Sequence, residues 1–83
     1  MPSTWHVYMV ECADGTLYSG ITTDLERRIL EHNDSDKGAK YTRAKRPVRL
    51  VYSEQHLDRS TASKREYELK QLSREEKKEL FAR

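Results

Sequence analysis

The stretch Tyr18–His32 decides the fold, and its sequence is YSGITTDLERRILEH. It predicts the end of a strand, a tight corner and then a helix. Thr23 and Glu26 have the S/T-x-x-E spacing of a capping box, so Thr23 is predicted to be the N-cap of the helix. Gly20 has no Cβ and is predicted to let the backbone turn sharply between strand and helix.

The helix that follows this corner has two distinct faces. It is predicted to run over about residues 24–33, and Leu25 and Ile29, four residues apart, should face the core. Arg28 and His32 are also four apart, so they share a different face. The unit therefore brings a phenol of the preceding strand near a guanidinium and an imidazole, and this grouping suits phosphate chemistry.

Upstream of the corner, the chain alternates in a strand-like way from Trp5 to Glu11. Residues 13–15 (ADG) predict a turn, and residues 16–21 return as a second strand. The alternation places Trp5, Val7 and Met9 on one face of the first strand and His6, Tyr8 and Val10 on the other.

The length of the hairpin loop sets which side chains meet. A two-residue loop would pair Tyr8 with Ile21 and put Tyr18 on the opposite face from Tyr8. A three-residue loop with Gly15 in the left-handed region pairs Tyr8 with Gly20 instead, and the two tyrosines then lie diagonally adjacent on one face. We favour the second register, because it leaves a contiguous apolar face. That face consists of Trp5, Val7, Met9 and Ile21.

The second half of the chain predicts one strand and two helices. Residues 34–47 are too polar and irregular for a core element, whereas residues 48–53 alternate as a third strand. After a loop at 55–60, Asp58 or Ser60 can cap a helix that runs to about Leu72. Ser73 and Glu76 form a capping box for a short last helix. Further apolar positions are Val48, Leu50 and Tyr52 on one face of the third strand, and Leu80 and Phe81 after the last helix.

These elements predict an α+β fold in the order β-β-α-β-α-α, with a small three-stranded antiparallel sheet flanked by helices. The 83 residues form a single domain, residues 1–83, and the net charge is +2. The one cysteine, Cys12, excludes an internal disulfide and suits a reducing compartment. No apolar run approaches the ~20 residues of a membrane span, so we expect a cytoplasmic protein that does not bind membranes.

Glu66 departs from the pattern of the second helix. Its apolar stripe is formed by Ala62, Leu69 and Leu72, and Glu66 lies on that stripe. A carboxylate placed inward is costly unless it is paired or bound to a cation. Two explanations are open: a salt bridge to an arginine of the first helix, or a metal ligand, since one hard oxygen ligand with several waters often holds Mg²⁺.

The segment between the first helix and the third strand is basic. It contains six basic residues between Lys37 and Arg49 and no acidic residue. With Tyr41 and Thr42 among the cations, such a loop can hold a phosphate backbone. The residues predicted to contact DNA are Lys37, Lys40, Tyr41, Arg43, Lys45 and Arg46.

The chain resembles the GIY-YIG nucleases. The two half-motifs appear as His6-Val7-Tyr8 and Tyr18-Ser19-Gly20, so His6 and Ser19 depart from the family name while both tyrosines are present. The helix arginine, the helix histidine and the later glutamate of the family match Arg28, His32 and Glu66. Residues 37–42 (KGAKYT) and 70–73 (KQLS) are similar to the short, single-domain bacterial branch, which is related to the catalytic domain of Slx1-type structure-specific nucleases.

The resemblance implies a metal-dependent DNA endonuclease that hydrolyses phosphodiester bonds, with a possible structure preference and a link to DNA repair or recombination. Its catalytic residues would be Tyr8, Tyr18, Arg28, His32 and Glu66. Glu66 would hold Mg²⁺ or Mn²⁺, and Arg28 would clamp the non-bridging phosphate oxygens. Tyr18 would orient or deprotonate the water with support from Tyr8, and the parts played by His32 and Tyr41 stay open.

Three interpretations of the function compete. The first is the endonuclease, and the second is a nucleic-acid-binding module that keeps the fold without turnover, for which the departures at His6 and Ser19 leave room. The third is a partner-docking protein that uses the basic face of residues 37–49. Appended domains usually choose the target in this family, so an unidentified protein partner is a candidate source of target choice here.

Overall fold

The computed structural model describes residues 4–34, 42 and 44–81. Three antiparallel strands form one sheet in the order β2-β1-β3, so β1 is central. The elements follow the predicted β-β-α-β-α-α order, and the α+β prediction is confirmed. They are β1 (Trp5–Glu11), β2 (Leu17–Thr22), α1 (Leu25–Asp34), β3 (Arg49–His56), α2 (Arg59–Lys70) and α3 (Arg74–Glu79).

The hairpin between β1 and β2 has the predicted three-residue loop. Gly15 lies in the left-handed region with φ of 85°, and its N–H donates to the Cys12 carbonyl at 2.9 Å. Tyr8 therefore pairs with Gly20, which confirms the register favoured above. Because side chains alternate along a strand, Tyr8 and Tyr18 project from the same face of the sheet.

The corner before α1 is capped by a residue other than the one predicted. Asp24, not Thr23, is the N-cap, because Asp24 Oδ1 accepts a hydrogen bond from the N–H of Arg27 at 3.1 Å. The Thr22 hydroxyl accepts from the N–H of Asp24 at 3.1 Å and tightens the turn. An aspartate with its carboxylate at the helix start is as good a cap as threonine, and it also favours the helix dipole.

A β-bulge in β3 changes which side chains share a face. Met9 pairs with Tyr52 whereas Val10 pairs with Leu50, so Val51 is an extra residue. Leu50 therefore lies on the α1 side of the sheet, and Tyr52 packs on the α2 side. The prediction that Leu50 and Tyr52 share a face is wrong, because a bulge interrupts the two-residue alternation on which it rested.

The later boundaries agree with the capping signals. β3 continues to His56, so it includes the first two residues of the predicted loop at 55–60. Asp58 caps α2 by accepting from the N–H of Thr61 at 2.8 Å, and the capping box at the start of α3 is formed as predicted. Within residues 4–34, 42 and 44–81, none of the helices has the length and hydropathy of a membrane span.

Helices cover both faces of the sheet and create two apolar clusters. Burial on both faces explains why β1 has so few exposed side chains. On the α2 side the cluster contains Val7, Met9, Ala62 and Leu69, with Trp5, Ile21, Leu72, Leu80 and Phe81 packed against it. On the α1 side it contains Tyr8, Val10, Cys12 and Val48, with Tyr18, Leu25 and Ile29 packed against it.

Candidate active site

Two side chains of α1 converge on the hydroxyl group of Tyr8. His32 Nε2 lies 2.8 Å from Tyr8 Oη, and Arg28 Nε donates to the same oxygen at 3.4 Å. Their spacing of four residues places them one turn apart on one face of α1, as the sequence predicts. The Arg28 guanidinium is also held by Glu31, whose Oε1 accepts from Nη1 at 3.1 Å.

Gly20 makes the space that the Tyr8 ring occupies. A Cβ on this residue would lie 2.5 Å from Tyr8 Oη and 2.7 Å from Cζ, well inside van der Waals contact. Gly20 is in β2 and its φ is not positive. The expectation that it provides the sharp turn into α1 is therefore wrong. A side chain is excluded here because the phenol of the facing strand lies across the backbone.

His32 is fully buried and is held at both ring nitrogens. While Nε2 faces Tyr8, Nδ1 lies 2.8 Å from the Thr42 hydroxyl, which is also buried. Burial lowers the pKa of His32 to about 4, and the positive charge of Arg28 acts in the same direction. Burial also raises the pKa of Tyr8, although Arg28 opposes that effect. At neutral pH the site thus contains a neutral imidazole beside a neutral phenol.

Tyr18 completes the aromatic part of the site. Its ring packs edge-on against His32 with the centroids 5.6 Å apart, and Tyr8 makes a similar contact at 5.8 Å. Tyr18 is half-buried, whereas Tyr8 is fully buried. The structure therefore brings Tyr8, Tyr18, Arg28 and His32 together, with the phenol of Tyr18 the more accessible of the two.

Glu66 comes from α2, on the other face of the sheet. Its side chain is 23% exposed although Ala62 and Leu69 on the same stripe are fully buried. Burial is the main cause of the raised pKa of Tyr8. The negative charge of Glu66 acts in the same direction. The ion pair seen is with Lys70 of its own helix at 3.5 Å, rather than with an arginine of α1 as one of the two explanations required.

The number of possible metal ligands decides which kind of metal site Glu66 can form. Among the described residues there is no group of three or more His, Cys, Asp or Glu side chains able to hold a metal ion. A closed site for zinc or calcium would need such a group. A half-buried carboxylate fits the other arrangement, in which Mg²⁺ keeps several waters and takes its remaining ligands from a phosphate.

A polar cluster on β3 fixes the helix that carries Glu66. Arg65 Nε donates to Glu54 Oε1 at 2.8 Å, His56 Nε2 lies 2.9 Å from the same oxygen, and Tyr52 donates its hydroxyl to Glu54. Burial acts to raise the pKa of Glu54, but these hydrogen bonds lower it. The cluster therefore joins α2 to the edge strand by charge-assisted hydrogen bonds.

The predicted DNA-binding segment is only partly described. Lys45 Nζ pairs with Asp14 Oδ2 at 3.1 Å, next to the hairpin turn. Arg46 Nη2 donates to the carbonyl of Glu31 at 3.3 Å and its Nε to that of His32, so its guanidinium satisfies the C-terminal carbonyls of α1. The remaining predicted residues, Lys37, Lys40, Tyr41 and Arg43, lie outside the described residues.

Thr42 is the site residue that sequence reasoning missed. It attracts attention in the sequence only as a small polar residue among cations. Its buried contact with His32 joins residues ten apart across a segment without periodicity, so no spacing rule connects them. The signal that was available is the need of any buried histidine for a second hydrogen-bond partner.

The two departures from the family motifs are placed differently. Ser19 pairs with Met9 and faces the α2 side, where the residue is 3% exposed. Its hydroxyl has no hydrogen-bond partner among the described residues. His6 pairs with Thr22, at the end of the hairpin away from the turn. Ser19 therefore lies in the core behind the sheet, whereas His6 shares a face of β1 with Tyr8.

Comparison with known proteins shows the family. The sequence profile of the GIY-YIG catalytic domain matches residues 4–79. This chain belongs to the GIY-YIG catalytic domain family. It is 66% identical over 76 residues to the UPF0213 protein DP2720 of Desulfotalea psychrophila, a match that covers 92% of this chain and 69% of that protein. It is 55% identical over 76 residues to the UPF0213 protein VNG_2274C of Halobacterium salinarum, with 92% and 97% covered.

Solved structures of this GIY-YIG family have the same fold. The solution NMR structure of the UPF0213 protein BH0048 from Bacillus halodurans shares 48% identity, covers 93% of this chain and 81% of its own, and has a TM-score of 0.58. That of the protein EF2693 from E. faecalis shares 39% identity, with 93% and 82% covered and a TM-score of 0.61. The family is one of nucleases, so the chain is placed in a nuclease superfamily.

Proposed function

We propose that this GIY-YIG domain is a divalent-metal-dependent endonuclease that hydrolyses DNA phosphodiester bonds. The observation that carries the proposal is the convergence of Arg28 and His32 on the hydroxyl of Tyr8, with the ring of Tyr18 against the same imidazole. Hydrolysis of a phosphodiester needs a positioned water and a positively charged group next to the phosphoryl oxygens. Arg28 can supply the charge, and the hydroxyl of Tyr18 can position the water.

Arg28 is the group that we assign to the scissile phosphate. Tyr8 and Glu31 fix the orientation of its guanidinium from two sides. A planar fork held in this way can donate two parallel hydrogen bonds to the non-bridging oxygens, which a lysine cannot do. The pre-set orientation also reduces the entropy lost when the phosphate binds.

Tyr18 is the phenol that we assign to the attacking water. Tyr8 is fully buried and engaged with His32, whereas Tyr18 is half-buried and therefore within reach of solvent. Tyr8, His32 and Thr42 form a buried chain of hydrogen bonds that holds the imidazole in contact with the Tyr18 ring. In this proposal Tyr8, His32 and Thr42 are positioning residues, and Tyr18 orients the water by hydrogen bonding.

Glu66 is the residue that would hold Mg²⁺ or Mn²⁺. When bound, the metal would neutralise charge on the phosphate and stabilise the leaving oxygen. The observed partner of Glu66, Lys70, is half-exposed and 3.5 Å away. An exposed i,i+4 pair contributes only about 0.3–0.5 kcal/mol, so it does not prevent a dication from taking the carboxylate.

The basic segment is proposed to bind the DNA backbone away from the cut. Because Arg46 is engaged by α1 carbonyls and Lys45 by Asp14, we expect the sequence-independent affinity to come chiefly from Lys37, Lys40 and Arg43. Tyr41 stays in the proposed DNA-binding set. A partner protein that supplies target choice also remains part of the proposal, as does a link to DNA repair or recombination.

The proposal is tested with purified protein and four labelled DNA substrates: single-stranded, duplex, flapped and branched. Each is incubated with Mg²⁺, with Mn²⁺ and with EDTA. We expect cleavage of at least one substrate with metal and of none with EDTA. Binding without cleavage of any substrate in either metal would contradict the proposal and would indicate a nucleic-acid-binding module that lacks turnover.

A further inference from the structure

The solvent-facing side of α2 next to Glu66 carries an exposed aromatic residue between two lysines. Tyr67 is 67% exposed, and Lys64 and Lys70 precede and follow it by three residues each. Residues three apart are neighbours on a helix surface, with Cβ atoms about 5–6 Å from one another. A flat ring that lies between two lysine residues of the helix is therefore presented to solvent.

This surface is continuous with the carboxylate that we assign to the metal. Each residue turns the helix by about 100°, so Glu66, Lys70, Tyr67 and Lys64 follow one another around a single flank of α2. The contact of Lys70 Nζ with Glu66 Oε2 at 3.5 Å joins the first two directly. A chain that passes Glu66 on this flank would next meet Lys70 and the Tyr67 ring.

The opposite flank of α2 is built differently. Arg65 lies there, and it is bound to Glu54 at 2.8 Å and to Glu68 at 3.3 Å. Its charge thus serves to join α2 to β3. On the Tyr67 flank, Lys70 contacts Glu66 of the same helix, and both lysines neighbour an aromatic ring. Single-strand-binding proteins use this combination of cations for the phosphates and a ring for a base.

We propose that Tyr67 is a stacking platform for an unpaired DNA base next to the scissile phosphate, with Lys64 and Lys70 contacting the flanking phosphates. The inference rests on the proposed function and assigns its substrate class. In a duplex, both faces of a base are covered by its neighbours, so only an unpaired base can stack on the ring. The substrate class is accordingly DNA that is single-stranded at the site of cleavage, including a flap.

The first test measures binding without cleavage. The affinity of the full chain for a labelled single strand, and for the duplex of the same sequence, is measured by fluorescence anisotropy in EDTA. Loss of one stacked base costs about 5- to 150-fold in affinity by alanine substitution. We expect Tyr67→Ala to weaken single-strand binding by such a factor and duplex binding by less than about twofold, whereas Tyr67→Trp should keep the affinity.

A matched control uses another exposed apolar residue. Leu57 is 92% exposed and precedes the α2 N-cap. Leu57→Ala should leave the affinity for both DNAs unchanged. All variants lie on the surface, so their unfolding midpoints should equal that of the wild type. A loss of single-strand affinity of the same size in Leu57→Ala would overturn the assignment to Tyr67.

A second test identifies the partner of the ring. Single strands with one abasic position are scanned through the bound site. One abasic position should weaken binding to the wild type as much as Tyr67→Ala does, and should have no further effect on Tyr67→Ala. Lys64→Ala should reduce the salt slope of log K by about 0.7, the value for one phosphate of a single strand, whereas Lys78→Ala on α3 should not.

The outcomes separate this inference from the proposed function. Metal-dependent cleavage by the wild type with unchanged single-strand affinity in Tyr67→Ala would overturn the stacking platform alone. Absence of cleavage of any DNA would contradict the proposed function, while the anisotropy and abasic measurements would still test whether Tyr67 binds an unpaired base. Additive effects of the abasic position and Tyr67→Ala would overturn the base contact itself.

Discussion

Gly20→Ala should damage the site by steric displacement of Tyr8. The new methyl group would lie 2.5 Å from Tyr8 Oη and 2.7 Å from Cζ, so the ring must move. Overpacking of a core costs about 1–3 kcal/mol, and a buried polar group that loses its hydrogen-bond partner costs about 1–3 kcal/mol more. The hydrogen bond at risk is the 2.8 Å contact with His32. We therefore expect the free energy of unfolding to fall by about 2–6 kcal/mol.

The assay is urea unfolding followed by the fluorescence of Trp5, the one tryptophan of the chain. A domain of this size loses about 4–8 °C of midpoint per kcal/mol, so a thermal midpoint lower by at least about 8 °C gives the same answer. Tyr8→Leu supplies the control, because Gly20→Ala should cost less than about 1 kcal/mol once the phenol is gone. A single Gly20→Ala variant as stable as the wild type would refute the reasoning.

Three further predictions use other contacts. Ser19→Ala removes a buried hydroxyl that has no partner in the described part of the chain, so it should stabilise the protein by about 1 kcal/mol in urea unfolding; a loss of stability would show that the hydroxyl is bonded. His32 has a folded pKa of about 4, below the ordinary ~6.5, so the unfolded state binds more protons between those values. Stability should therefore fall by up to about 3 kcal/mol as the pH drops from 6.5 to 4, and His32→Asn should remove that component; an equal pH dependence in both proteins would contradict it. Arg28→Lys keeps the charge but loses the fork, and single-turnover cleavage should slow by at least ~10²-fold, whereas a rate within a few-fold of wild type would reduce Arg28 to a positioning charge.

The sequence was sufficient where one local rule determines the structure. The hairpin register followed from Gly15, since a three-residue loop with a left-handed glycine has one matching pairing. The shared face of Arg28 and His32 followed from helical periodicity alone. These two results already place a guanidinium and an imidazole beside a tyrosine of the sheet.

The sequence was insufficient where two local signals compete or where a contact spans the fold. Thr23 and Asp24 are both good helix caps, and the competition was decided by the turn that Thr22 makes with Asp24. The bulge at Val51 has no glycine or proline to mark it. Thr42 lies ten residues after His32 in the sequence, and only the folded structure brings the two side chains together.

The placement of Glu66 was predictable from the sequence, but its ion-pair partner was not. Its place on an apolar stripe between Ala62 and Leu69 was visible from helical spacing, and its partial burial is what that spacing predicts. Its ion-pair partner was not predictable, because Lys70 on the same helix and an arginine of α1 satisfy the same electrostatic need. Three-dimensional placement decides between them.

The most direct test of the account is the cleavage rate of Glu66→Gln. Wild type and variant are compared at saturating protein in Mg²⁺ and in Mn²⁺, on whichever DNA the wild type cuts, with binding measured separately in EDTA. The variant should bind DNA and unfold like the wild type, because it loses only a half-exposed pair with Lys70, yet it should not cleave in either metal. Cleavage by Glu66→Gln at the wild-type rate would contradict the assignment of the metal to this carboxylate.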